Sequence, residues 1–235
     1  MKKTVFLDTG ILRAIFIAVV NGKDWHQEFG LLSSDFRLVT SQKCVIEMYG
    51  ILKTTILTSD LAVYECKYSS SKGDDSILRR VLDGDEFLDI FWHRHVLEAW
   101  ITLREQTENE DEHTRRLRQL TEWRACYDRV RADFDKFLRV EGIRKVLYDE
   151  LFATHEWQAK LEDLAIETLI PKEDLEIVLS ALFIDADIFL TRDEKLIRKS
   201  FSLPLEPNVP AFCTPENLSR TLADLEQGFI RYPEA

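Results

Sequence analysis

Thr4-Val5-Phe6-Leu7-Asp8-Thr9-Gly10 runs from β-branched and aromatic residues into an acid and a glycine, and the apolar character resumes from Ile11 to Val20. A continuous apolar run without alternation suits a strand buried on both faces, as in parallel sheets. Asp8-Thr9-Gly10 reads as the turn that ends it. Ile11 to Val20 reads as a helix, with Asn21-Gly22 as its stop signal. The same order returns further on. Phe36 to Val39 is a second strand, Thr40 or Ser41 an N-cap, and the span from about Lys43 to Leu57 a helix. Near the end, Pro171 suits the first position of a helix whose Leu175, Val178, Leu179 and Leu182 form an apolar stripe. Asp187 to Leu190 is the strand after it, ended by Thr191-Arg192-Asp193, with a short helix through Leu196 and Ile197. Strands alternating with helices predict a three-layer α/β sandwich around a central parallel sheet.

In such sheets ligands collect outside the carboxyl ends of the strands. Asp8 and Asp193 fall at predicted strand ends, and Glu47 and Asp174 fall in the first turns of helices that start from the same edge. Four acids gathered there repel and raise one another's pKa unless a cation relieves them. Mg²⁺ or Mn²⁺ prefers hard carboxylate oxygens, holds a phosphate and activates water, so no histidine or thiol ligand is required. Each acid also has a plainer role available. Asp174, with Glu173, would complement a helix dipole, Asp193 would be an N-cap, and Asp8 would cap the Gly10 turn. Glu47 needs a partner, because it interrupts an apolar helix face. Glu173 and Asp185 are the nearest rivals for the site, and Asp187 reads as an edge or turn residue.

Five segments together resemble the PIN domain family: Val5-Phe6-Leu7-Asp8-Thr9, the Ser41-to-Glu47 spacing, Asp174 to Ala181, Phe189-Leu190-Thr191-Arg192-Asp193, and Val209 to Glu216. They cover roughly residues 1–60 and 168–225. The resemblance implies one PIN-like domain formed by 1–60 and 168–235, interrupted by a large helical insertion at 61–167. It further implies a nuclease of toxin or RNA-processing type that hydrolyses RNA with Mg²⁺ or Mn²⁺. Asp8, Asp174 and Asp193 would be metal ligands, Glu47 a ligand or a water-orienting group, and Thr191 a hydroxyl beside the last acid. An antitoxin-like protein partner and a homodimer are expectations of the same origin. The long middle segment departs from the family's minimal toxins.

Composition sets the boundaries. The 235 residues are 45% hydrophobic and can bury a core; 42 acids against 31 basic residues leave a formal charge of -11. That sign opposes nucleic-acid binding through the overall field, so RNA needs a local basic patch. Between His113 and Lys145, ten Lys or Arg stand against five acids, and Arg118, Arg129 and Lys136 share one face of a predicted helix. They form either an RNA track or a solvated face. Trp123, Tyr127, Val130, Phe134 and Phe137 or Leu138 mark its apolar face. His93-Arg94-His95 is no metal pair, since residues two apart do not share a helix face. Asp8 and Arg13 interrupt the N-terminal apolar run, against a signal peptide, and no membrane span is expected. Scattered cysteines at 44, 66, 126 and 213 fit reduced thiols in a cytoplasm. Two competing functions remain: a non-catalytic PIN-like binding module whose insertion mediates protein contacts, and a phosphatase using Asp8 as nucleophile. The second lacks the acid two residues on, where Gly10 stands.

Overall fold

The computed structural model describes residues 2–30, 35–57, 111–204 and 209–227. Its strands are β1 (Lys3–Leu7), β2 (Phe36–Ser41), β3 (Arg144–Val146), β4 (Ile188–Leu190) and β5 (Ala211–Cys213), in one all-parallel sheet ordered β3-β2-β1-β4-β5. The helices are α1 (Thr9–Val20), α2 (Trp25–Phe29), α3 (Gln42–Leu57), α4 (Glu112–Val140), α5 (Tyr148–Leu151), α6 (His155–Glu167), α7 (Lys172–Phe183), α8 (Glu194–Lys199) and α9 (Leu218–Glu226). The expected three-layer α/β architecture is present. No helix among the described residues is long and apolar enough to cross a membrane.

The sheet's core is a cross-strand aromatic stack. Register pairs Phe6 with Phe189 and Phe189 with Phe212, and their rings stack at 5.1 and 4.5 Å between centroids. All three are buried, and such pairs contribute about 0.5–1.5 kcal/mol each beyond area burial. The stack fixes β1, β4 and β5 in register, and with them whatever follows each strand. At the opposite end of the sheet, half-buried Asp187 sits in the bend just before β4 and accepts from the Thr4 N–H at 2.8 Å, so it fastens β1 to β4. Asp185, a rival for the site, closes α7. Its φ of 48° is left-handed, with Asp185 N–H bonded to Leu182 O and Ala186 N–H to Ala181 O, the paired bonds of a Schellman cap.

Two expectations need correction. No turn separates β1 from α1: the helix starts at Thr9, and the Asp8 carbonyl accepts from both Ile11 and Leu12 N–H. Gly10 is therefore helical, without a positive φ. The second concerns the insertion at 61–167, because β3 lies within it and pairs with β2 through Val39↔Arg144 to Ser41↔Val146. A three-residue edge strand with one buried side chain, Val146, leaves almost no pattern to read.

The chain divides into two compact units: Met1–Ile15, Asp24–Met48 and Leu138–Ala235 form the first, Phe16–Lys23 and Tyr49–Phe137 the second. The first contains the entire sheet. In the second, Phe16, Phe134 and Phe137 pack ring to ring at 5.1 to 5.8 Å, Tyr49 hydroxyl bonds Asp135, and Arg131 lies 4.4 Å over the Tyr49 ring. On α4 the buried residues are Cys126, Val130, Phe134, Phe137 and Leu138, while Trp123 and Tyr127 are half-buried. The predicted apolar face is right in phase, with Cys126 replacing Tyr127 at its centre.

Gly50 sits exposed within α3, and a Cβ there would meet nothing within 4 Å. Glycine in a helix interior costs about 0.5–1 kcal/mol relative to alanine. Gly50→Ala should therefore raise the melting temperature by roughly 1–4 °C in a scanning calorimeter. A lower value would mean that position 50 is not an open helical site.

Candidate active site at the carboxyl edge of the sheet

Leu7 is in register with Leu190, so the residues after them, Asp8 and Thr191, stand side by side where β1 and β4 end. Asp8 N–H bonds Leu190 O at 3.1 Å, and the Thr191 hydroxyl donates to Asp8 Oδ2 at 2.6 Å. The same hydroxyl accepts from Asp193 N–H at 3.0 Å. On the other side, Thr9 donates twice: its N–H to Asp8 Oδ1 at 2.7 Å, and its hydroxyl to Glu47 Oε2 at 2.7 Å. A continuous hydrogen-bonded chain thus runs Glu47, Thr9, Asp8, Thr191, Asp193. Thr9 and Thr191 are both buried. Thr191, expected among the catalytic residues, reaches two acids with its one hydroxyl.

Glu47 is placed by α3. Ser41 caps that helix by accepting from Cys44 N–H at 3.0 Å, and Glu47 follows in the second turn. The partner that its position demanded is the Thr9 hydroxyl, joined by Lys43, whose Nζ is 3.9 Å from Oε1. Asp193 is indeed an N-cap, as its plain reading had it: Oδ1 accepts from Lys195 and Leu196 N–H at 2.8 and 3.0 Å. Asp174 lies in the first turn of α7, and no donor among the described residues bonds its carboxylate.

Electrostatics ties the fourth acid to the other three. The Asp174 carboxyl is pushed up to about 6, first by burial, then by the charges of Asp8, Asp193, Glu173 and Glu47. Asp8 is also raised, chiefly by burial, against the lowering effect of its bonds from Thr191 and Thr9; Glu47 and Asp193 add to the rise. The four predicted acids share one electrostatic neighbourhood. Glu173 reaches it from an exposed position, whereas Asp185 closes the far end of α7.

Tyr148 is a neighbour that sequence reading missed. It follows β3, its N–H bonds Gln42 Oε1 at 3.0 Å, and its hydroxyl donates to Glu176 Oε2 at 3.1 Å. Burial first, then Glu176, and further off Glu47 and Cys44, hold its phenol at about 12. Cys44 itself is raised to about 11 by burial and by Asp8, which keeps it a thiol and no nucleophile.

Among the described residues, no three His, Cys, Asp or Glu side chains form a group that would hold a metal ion. The donor chemistry nevertheless fits Mg²⁺ or Mn²⁺, because such ions are bound through one or two carboxylates, retained water and substrate phosphate, not through an all-protein cage. Asp174 and the remaining lone pairs of Asp8 and Asp193 are hard oxygen donors of that kind. Of the basic stripe on α4, Arg129 and Lys136 are exposed and Arg118 is half-buried. His93, Arg94 and His95 lie outside the described residues.

Set beside protein-family models, curated proteins and solved structures, the chain matches none. The edge is therefore tested through its own chemistry. A carboxyl whose pKa is higher folded than unfolded holds its proton more tightly when folded, so ionising it destabilises the fold. For Asp174 that cost is complete above about pH 6 and absent below its ordinary 3.8. Asp174→Asn should raise the melting temperature in EDTA at pH 7.5 by roughly 2–4 °C, about 1 kcal/mol after allowance for solvent screening. The gain should vanish near pH 3.8. A melting temperature unchanged or lower at pH 7.5 would assign Asp174 to the helix dipole alone.

Proposed function

We propose that this chain is a PIN-like, metal-dependent endoribonuclease that hydrolyses phosphodiester bonds in RNA at Asp8, Glu47, Asp174 and Asp193. The observation that carries the reading is the charge pressure on Asp174, a half-buried carboxylate raised to about 6 by burial and by the other acids. Carboxylates that crowd one another beyond a sheet's carboxyl edge call for a divalent cation. One or two of Asp8, Asp174 and Asp193 would hold it directly, and the others through its water. Bound Mg²⁺ or Mn²⁺ would stabilise charge on the scissile phosphate and make the attacking water more acidic.

The chain's own groups supply the rest. Glu47, with Oε2 held by Thr9, keeps Oε1 to orient water and accept its proton. Water oxygen bonds to phosphorus as the bond from phosphorus to the departing ribose oxygen breaks, and that oxygen takes a proton from solvent. Thr191 favours the ionised form of Asp8, against the effect of burial, and aims it by donating to Oδ2. Because Asp174 must be ionised to bind metal, kcat/KM should fall as pH drops below about 6. A non-catalytic binding module is the alternative, and one observation favours it: three of the four acids already have hydrogen-bond donors.

Cleavage of single-stranded RNA with Mn²⁺ separates the two. Asp8→Asn and Asp193→Asn should each cut turnover about 100- to 1000-fold, several kcal/mol of transition-state stabilisation, with the fold intact by circular dichroism. Wild-type rates in both variants would sink the assignment. For substrate binding, replacing Arg118, Arg129 and Lys136 together by Glu should weaken RNA affinity and flatten its salt dependence by roughly 2 in the logarithmic slope. Unchanged affinity and slope would make the stripe a solvated face, leaving that helix for a protein partner such as an antitoxin or a second copy.

A further inference from the structure

Thr9 fastens the carboxylates of two acids at once, whereas Thr191 bonds the carboxylate of Asp8 and only the backbone of Asp193. Its backbone N–H donates to Asp8 Oδ1 and its hydroxyl to Glu47 Oε2, both at 2.7 Å, so one residue sets the relation between carboxylates 39 positions apart in the chain. Position 9 is fixed twice over. It is the first residue of α1, and it follows a strand locked in register by Phe6 and Phe189. The side chain is buried, so the hydroxyl has little water to turn to and its bond to Glu47 is kept. Lys43 stands 3.9 Å from the other oxygen, Oε1, a loose ion pair that leaves that oxygen room for a further donor.

We propose that Thr9 is a positioning residue of the active edge: by engaging Oε2 it presents Oε1 of Glu47 to the water and metal beside Asp8. The assignment rests on the nuclease reading above and names a group outside its four acids and Thr191. A threonine that merely satisfied its own hydroxyl would affect stability alone. A positioning threonine must also affect metal affinity and turnover, and must do so only through Glu47.

Both consequences are measurable on the full chain. Mn²⁺ affinity, read by calorimetry without substrate, should fall about 10- to 100-fold in Thr9→Val, which keeps the backbone bond and loses the hydroxyl. Turnover should fall by a similar factor with KM unchanged. Thr9→Ser should restore both to within about two-fold of wild type. Adding Thr9→Val to Glu47→Ala should cost nothing further, because the two act as one unit. Ser180→Ala, which removes a buried hydroxyl bonded to Glu176 O at 2.7 Å, controls for stability and should leave Mn²⁺ affinity unchanged. If Val at position 9 prevents folding, Thr9→Ala reads out the same quantities. Wild-type Mn²⁺ affinity and turnover in a folded hydroxyl-free variant would overturn the role of Thr9 while sparing the nuclease. A wild-type chain that neither binds Mn²⁺ nor cuts RNA would overturn both.

Discussion

Asp8 depends on a register. It follows an apolar strand buried at Val5, Phe6 and Leu7, and the pairing of Leu7 with Leu190 sets Thr191 beside it. In a parallel sheet a slip of one residue would send every side chain to the other face, and the Phe6, Phe189 and Phe212 stack resists that slip. Packing on one side of the strand thus determines hydrogen bonding at its end. The acidic edge is not assembled by flexible loops reaching inward. Asp8 and Asp193 follow closely on strands whose alignment the core has already decided, and Glu47 and Asp174 come from the first turns of helices, which suits a site whose donors must hold position within a fraction of an ångström.

The acids at this edge are tolerated in different ways. Asp8 and Glu47 have donors from Thr9 and Thr191, which offset the cost of taking a carboxylate out of water. Asp193 spends one oxygen on the first turn of α8, where the orphan N–H groups of the helix would otherwise go unpaired. Asp174 has the helix N-terminus around it and no bonded donor among the described residues, and its pKa is raised, first by burial and then by the other acids. Three acids are held and one is held back. A site that must accept a cation benefits from that division, because the unbonded carboxylate has the most to gain when a positive charge arrives.

Much of this was legible from local sequence. The apolar runs gave β1, β2 and β4, Ser41 was among the expected caps, and Asp8, Glu47, Asp174 and Asp193 were expected on one edge, where their charges do meet. What was not legible depends on distance along the chain or on brevity. Strand β3 has three residues and one buried side chain, and its place at the sheet border comes from Ser41↔Val146 pairing across more than a hundred residues. Tyr148 reaches the edge only because β3 does. Gly10 looked like a turn because a glycine after an acid usually marks one, yet the Asp8 carbonyl starts the helix there. The bond from Thr9 to Glu47 had no signal of its own: Thr9 was visible as part of a motif and Glu47 as an acid in want of a partner, and only tertiary structure joins them.

Charge sets the remaining constraint. At -11 the chain repels a polyanion, and two of the cations beside the edge are already engaged. Lys43 is shared with Glu47, and Arg192 lies 5.6 Å over the Phe29 ring while its charge, after the Thr214 hydroxyl, helps hold Glu216 below the ordinary carboxylate range. With those cations partly committed, a divalent ion at Asp8, Asp174 and Asp193 would do more than chemistry. It would turn this acidic edge into the place where a phosphate is attracted, since a bound ion is the largest local charge in such a site. On the nuclease reading, substrate binding and catalysis therefore depend on the same ion, and an RNA-binding surface elsewhere on the chain contributes affinity without deciding where the backbone is cut.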